Sequence, residues 1–122
     1  RRFMSKAPPF FIATEHRCIS QAEREVLMRI VQDVNPSLLS LVEQLQVVGR
    51  CGCGACPTIF FQPHAQSEHE TEVASYCGRD EANAPVGVLL WEKHGRPSQL
   101  EFYSVDGHDP WGIPKAETLE PY

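Results

Sequence analysis

The sequence lacks any cluster of basic residues. Its 11 lysines and arginines are outnumbered by 16 aspartates and glutamates, so the formal net charge is −5, and only Arg1 and Arg2 are adjacent. Nucleic-acid-binding domains usually carry a basic patch or stripe, so we expect no nucleic-acid partner. An acidic surface fits a basic protein partner better.

Long apolar runs are also missing. The longest, VGVLLW at residues 86–91, has the length of a β-strand, whereas about 20 apolar residues are needed to span a bilayer. No signal-peptide pattern is visible, and the five cysteines, an odd number, fit a reducing compartment better than a framework of disulfides. We therefore expect a cytoplasmic protein with no membrane partner.

The rest of the composition is that of a globular protein. The 122 residues are 42% hydrophobic and 22% charged, which allows one hydrophobic core and argues against disorder. We expect a single domain over residues 1–122, with extended arms at residues 1–19 and 107–122.

The N-terminal half predicts two helices. Within residues 20–34, Ser20 and Glu23 have the spacing of a capping box, and apolar residues recur every three or four positions. The Asn-Pro pair at residues 35–36 ends this helix and starts a second one, which is predicted to end near Gln46.

Later residues favour strands, which are predicted at residues 46–51, 58–62, 72–78, 86–93 and 98–106. The last two strands flank a turn at Gly95 and predict an antiparallel hairpin. The order of the elements predicts an α+β fold. In it, two N-terminal helices pack on an antiparallel sheet of about four to five strands, and an extended, proline-rich C-terminal arm follows.

The stretch GRCGCGACPTIFF, residues 49–61, places three cysteines within six positions, and zinc is one interpretation. Cys53 and Cys56 have the C-x2-C spacing common in structural zinc sites, and Cys51 offers a third thiolate. The intervening glycines allow the backbone to curl so that the sulfurs converge. The fourth predicted ligand is Cys77, because antiparallel pairing would bring its strand alongside.

Two other interpretations of the cysteine cluster stay open. CGACP at residues 53–57 resembles the active-site sequence of thioredoxin-like oxidoreductases, but that chemistry needs a helix after the first cysteine, and a strand-forming run follows here. Alternatively, the cysteines are small packed side chains in a glycine-rich bend. The sequence alone favours this structural role, with no cofactor, and leaves zinc as the alternative.

Two polar stretches contain other residues that suit acid–base or metal chemistry. His64 and His69, the next candidates for a fourth zinc ligand, lie in a stretch that lacks any metallohydrolase motif. Asp106, His108 and Asp109 are explained equally well by turn chemistry. Because every catalytic motif lacks its companions, we expect no hydrolase or oxidoreductase activity.

The segments VVGRCGCGACPTIFF, VGVLLWEKHGRPSQLEFYSVDG and IPKAETLEPY together resemble a group of small uncharacterised bacterial proteins. These carry a Cys-x-Cys-Gly-Cys-Pro-type stretch ahead of a β-hairpin. The resemblance covers the chain from Ser20 onward, with Ala55 as a departure that lengthens the spacing between Cys53 and Cys56. It implies no established activity.

Two classes of function therefore stay open. The first is a non-enzymatic protein-binding module, such as a toxin-neutralising immunity protein or a regulatory protein, because small acidic α+β domains often act in this way. The second is a zinc-binding or thiol-dependent protein that uses Cys51, Cys53 and Cys56.

Overall fold

The structure, a computed structural model, describes residues 12–53, 55–63, 68–107 and 111–122. Within these ranges, two helices and seven strands follow one another, with short 3-10 turns at Pro36–Leu38 and Ala116–Thr118. In chain order they are β1 (Ile12–Cys18), α1 (Gln21–Val34), α2 (Leu39–Val42), β2 (Gln46–Cys51), β3 (Ile59–Phe60), β4 (Thr71–Arg79), β5 (Pro85–Lys93), β6 (Arg96–Ser104) and β7 (Glu120–Pro121).

One antiparallel sheet of seven strands organises the described residues, in the order β1-β2-β3-β6-β5-β4-β7. The nine-residue strands β4, β5 and β6 form a central meander, in which Val88 pairs with Phe102 and Leu90 pairs with Leu100. Strand β3 has only two residues, yet it pairs with β2 on one side and with β6 on the other. It therefore joins the N-terminal strand pair to the meander.

Helix α1 covers one face of the sheet. Its apolar residues Val26, Leu27, Ile30 and Val31 are completely buried, because their spacing places them on a single stripe of the helix. They pack into a core built from alternate strand positions and from the segments that flank the sheet: Val42, Leu45, Val47, Ile59, Phe61, Ala74, Tyr76, Val86, Val88, Leu90, Leu100, Phe102 and Leu119.

The N-terminus of α1 is fixed by the predicted capping box. The Ser20 hydroxyl accepts a hydrogen bond from the Glu23 backbone N–H at 3.2 Å, and the Glu23 carboxylate accepts one from the Ser20 N–H at 2.8 Å. Arg17 on β1 donates two further bonds, of 2.9 and 2.8 Å, to the same carboxylate. A single buried acid therefore caps the helix and ties it to the first strand.

The predicted fold is wrong in its helices and in its sheet. In the described residues the sheet has seven strands instead of four to five, and only α1 (Gln21–Val34) is a helix of substantial length. The predicted second helix shrinks to a 3-10 turn and the four residues of α2. Its end is tightened by bonds from Gln44 N–H to Leu41 O and from Leu45 N–H to Val42 O, which turn the chain into β2. Neither described helix combines the length and apolar character needed to cross a bilayer.

The two ends of the described chain also contain strands that the sequence did not predict. Strand β1 lies within residues 1–19 and pairs with β2, from Ile12 opposite Cys51 to Cys18 opposite Gln46. Because β1 is an edge strand, its sequence, IATEHRC, is mostly polar and lacks the apolar pattern by which a strand is predicted.

The C-terminal segment packs against the sheet instead of forming an extended arm. Leu119 is buried in the core, and the Lys115 N–H donates to the Arg79 carbonyl at 2.8 Å. The Thr118 hydroxyl accepts from the Arg79 N–H at 2.8 Å, and Glu120 pairs with Cys77. These contacts place β7 alongside β4.

The Glu23 carboxylate should make the stability of the folded protein depend on pH. Burial of this carboxyl raises its pKa, but the hydrogen bonds from Arg17 and Ser20 outweigh burial, so the folded pKa lies below the ordinary value of 4.5. The stability that Glu23 contributes is therefore complete above pH 4.5 and disappears as the pH falls through the folded pKa. We expect Glu23→Gln to be less stable than wild type in urea unfolding at pH 7, with a smaller difference at low pH.

The control for this measurement is Glu25→Gln, an exposed position on the same helix. It should unfold like wild type at both pH values. An effect of Glu23→Gln that is equally large at low and neutral pH would show that the charge of Glu23 is not what stabilises the fold.

Docking of the C-terminal segment can be tested at Gly78, which is buried on β4. A Cβ atom there would lie 2.7 Å from Thr118 Oγ1 and 2.9 Å from Leu119 Cδ2. Gly78→Ala should therefore push the segment outward and reduce the free energy of unfolding by about 1–3 kcal/mol. The matched control is Gly112→Ala, whose nearest contact would be Asp80 Cβ at 3.9 Å. Equal urea midpoints for the two variants would contradict this packing.

Candidate metal centre

The three clustered cysteines lie on the connection between β2 and β3. Cys51 is the last residue of β2, and its N–H donates to the Thr58 carbonyl at 3.1 Å, which closes the loop at its base. Because both ends of the loop are held in the antiparallel ladder, the chain must reverse direction between them. Cys53 and Cys56 therefore lie on a turn beside the end of β2.

Thr58 anchors this loop to the central meander. Its buried hydroxyl donates to the Phe102 carbonyl at 3.3 Å and accepts from the Phe102 N–H at 3.0 Å. A threonine in a strand-forming run carries no signal of such a role, so the sequence did not identify it. Thr58 therefore positions the loop on the sheet.

The sulfurs of Cys51, Cys53 and Cys56 all lie within 4.8 Å of one another. The Sγ atoms of Cys53 and Cys56 are 3.6 Å apart. Zinc binds thiolates at about 2.3 Å in a tetrahedron, which sets neighbouring sulfurs about 3.8 Å apart. The cluster therefore needs movements of about 1 Å at most to hold a zinc ion.

Backbone N–H groups point at the sulfur of Cys53. The N–H groups of Ala55 and Cys56 donate to Cys53 Sγ over 3.3 and 3.4 Å. A neutral thiol is a weak acceptor, whereas a thiolate is stabilised by such donors. The turn therefore favours the deprotonated form of Cys53.

These contacts also give the thiols of Cys51 and Cys53 different pKa values. Burial alone raises the pKa of Cys53, but hydrogen bonds from the Ala55 and Cys56 N–H groups and from the other two thiols lower it to about 7. Burial is the main cause that raises the pKa of Cys51 to about 12. A hydrogen bond from the Cys53 backbone N–H lowers this pKa, and hydrogen bonds with the Cys53 and Cys56 thiols raise it. In the metal-free cluster, one proton therefore leaves near neutral pH, mainly from Cys53.

The structure does not bring the fourth predicted ligand to the cluster. Cys77 lies on β4, and β6 and β5 separate that strand from β3. Neighbouring strands lie about 4.8 Å apart, so Cys77 is roughly 14 Å from β3. Antiparallel pairing does bring strands alongside Cys77, but these are β5, through Gly87, and β7, through Glu120. Among the described residues, no fourth His, Cys, Asp or Glu ligand atom joins the group.

The remaining predicted residues lie elsewhere. His69 is exposed, and His64 lies outside the described residues. Asp106 is exposed at the end of β6, while His108 and Asp109 fall in an undescribed stretch. In the part of the chain that is described, these residues form no second group of three possible metal ligands.

The acidic stretch between β3 and β4 has a structural role instead. Glu68 accepts a 2.7 Å bond from Lys93, whose side chain is buried and also donates to the Pro63 carbonyl at 2.8 Å. Glu70 accepts from the Ser98 hydroxyl at 2.8 Å. These contacts fasten the stretch to the β5–β6 hairpin.

No protein-family model, curated protein or solved structure matches this chain. The chemistry of the cysteine cluster is therefore the basis for inferring a function.

The thiol acidities predict an order of alkylation in the reduced, metal-free protein. At pH 7 about half of Cys53 is thiolate, which is the reactive form, whereas Cys51 is fully protonated. We expect iodoacetamide to modify Cys53 well before Cys51, as followed by peptide mass spectrometry over time. Ala55→Pro, which removes one N–H donor, should slow the reaction of Cys53 at pH 7. Modification of Cys51 first would contradict the geometry described here.

Proposed function

We propose that this protein binds Zn²⁺ through the thiolates of Cys51, Cys53 and Cys56. The observation that carries the proposal is the convergence of three sulfurs within 4.8 Å on one short loop. The two N–H donors at Cys53 support it, because they stabilise the deprotonated sulfur that a metal requires.

The donor set favours zinc over hard cations. Three sulfurs and no oxygen ligand suit a soft or borderline metal, whereas Ca²⁺ and Mg²⁺ require oxygen donors. Zinc with three thiolates has a net charge of −1.

The fourth coordination position is open to a ligand from outside the group. Zinc sites that are closed by four protein ligands are structural, whereas three protein ligands leave room for water or another donor. Cys53 is exposed, so solvent reaches this side of the cluster. The proposed ion is therefore held by the fold and remains accessible to a water molecule, a small thiol or a side chain of another protein.

The protein-binding role expected from the acidic composition stays a prediction. It is compatible with a bound zinc ion, since a partner side chain could occupy the open position. The zinc proposal does not depend on it.

Metal content tests the proposal directly. We expect the reduced protein, loaded with zinc and dialysed, to retain about one zinc ion per chain. Zinc binding should weaken by about tenfold or more in each of the variants Cys51→Ser, Cys53→Ser and Cys56→Ser, because each loses one of the three thiolate ligands. Co²⁺ in place of zinc should show the absorption bands of thiolate coordination in wild type, and these should be lost in the three variants.

Two matched controls are Cys18→Ser and Cys77→Ser, which remove thiols outside the cluster. Both should retain zinc and the Co²⁺ spectrum. Far-UV circular dichroism of every variant distinguishes lost ligation from lost folding. Zinc loss in Cys77→Ser equal to that in Cys53→Ser, or a folded wild type that retains no zinc, would overturn the proposal.

A further inference from the structure

Two of the three sulfurs are also placed for reaction with each other. Cys53 Sγ and Cys56 Sγ lie 3.6 Å apart, and a disulfide requires about 2.05 Å, so a movement of roughly 1.5 Å would join them. Both residues lie on the turn outside the strand ladder. Their sulfurs can therefore approach each other without breaking a pairing between strands.

Cys51 is held differently. It pairs with Ile12 on β1, and its N–H is bonded to the Thr58 carbonyl. Because Cys51 is fixed in the ladder and half-buried, its sulfur is less free to move and less accessible than the exposed Cys53. The geometry selects the Cys53–Cys56 pair within the cluster.

We propose that a peroxide oxidises Cys53 and Cys56 to a disulfide and that this reaction releases the bound metal. The inference rests on the proposed zinc function and names its regulation. Once the disulfide has formed, Cys51 is the one ligand left among the described residues, and a single thiolate does not hold zinc. Oxidation state would thus control whether the site is occupied.

The reaction takes place in two steps. The Cys53 thiolate attacks one oxygen of hydrogen peroxide, the O–O bond breaks, and a sulfenic acid forms while hydroxide leaves. The Cys56 thiolate then attacks the Cys53 sulfur, forming the S–S bond and expelling a second hydroxide. Two protons convert the hydroxides to water. The two sulfurs lose two electrons in total, the peroxide gains them, and Zn²⁺ departs without a change of charge.

The remaining cysteines lie away from this pair. Cys18 lies at the other end of the β1–β2 pair from Cys51, where its sulfur is 3.8 Å from the Gln46 amide. Cys77 lies on β4. Neither is placed to form a disulfide with the pair, which makes both residues suitable controls.

The experiment uses the reduced chain, loaded with zinc and freed of reductant. Hydrogen peroxide is added in molar excess, zinc release is followed with a chromogenic chelator, and the disulfide is located by peptide mass spectrometry. We expect release of about one zinc ion per chain in step with a Cys53–Cys56 disulfide, and rebinding after addition of dithiothreitol. Cys18→Ser and Cys77→Ser should behave like wild type.

The variants separate oxidation from metal binding. Cys51→Ser, treated in the metal-free state, should still form the Cys53–Cys56 disulfide, whereas Cys56→Ser should stop at an oxidised Cys53 that a small thiol can trap. Zinc that stays bound under peroxide, or that leaves while the disulfide joins another pair, would overturn the inference and leave the zinc proposal intact. A reduced protein that binds no zinc would instead overturn the zinc proposal and the release step with it.

Discussion

The two residues of strand β3 are the constraint on which the rest of the sheet depends. Gly49 and Arg50 of β2 pair with Phe60 and Ile59, which pair in turn with Gln99 and Leu100 of β6. Within the described sheet, no other strand connects β1 and β2 to the four strands beyond. The burial of Ile59, Phe60 and the following Phe61 stabilises so short a strand, because two ladder positions alone would be marginal.

The cysteine loop leads into this junction, so the proposed metal binding would be coupled to folding. The loop leaves β2 at Cys51 and reaches β3 through Thr58, whose hydroxyl bonds to both backbone groups of Phe102. A zinc ion that bridges Cys51 to Cys53 and Cys56 would fix the loop in the conformation that the junction requires. The free energy of binding would therefore add to the free energy of folding at the narrowest part of the sheet.

The parts of the structure that the sequence predicted are those determined by neighbouring residues. Helix α1 was predicted from a capping box and an apolar stripe, and the β5–β6 hairpin from two strands joined by a tight turn. Strands β1 and β7 were missed because their pairing partners lie far away in the chain and their sequences are polar or contain proline. The same limit applies to the site. The spacing of Cys51, Cys53 and Cys56 predicted a local group, but the location of Cys77 depends on a strand order that no local pattern contains.

Strand β7 has a consequence for self-association. It pairs with Tyr76 and Cys77 in the middle of β4, which would otherwise be a nine-residue edge with free backbone donors and acceptors. Long uncovered edges recruit strands from other molecules and promote aggregation. Pro121 has no N–H to donate, and Glu120 places a charge at the new edge. Strand β7 is therefore a poor partner for a strand from another molecule. The C-terminal segment thus covers the edge of β4, and its detachment would expose that edge to intermolecular β-pairing.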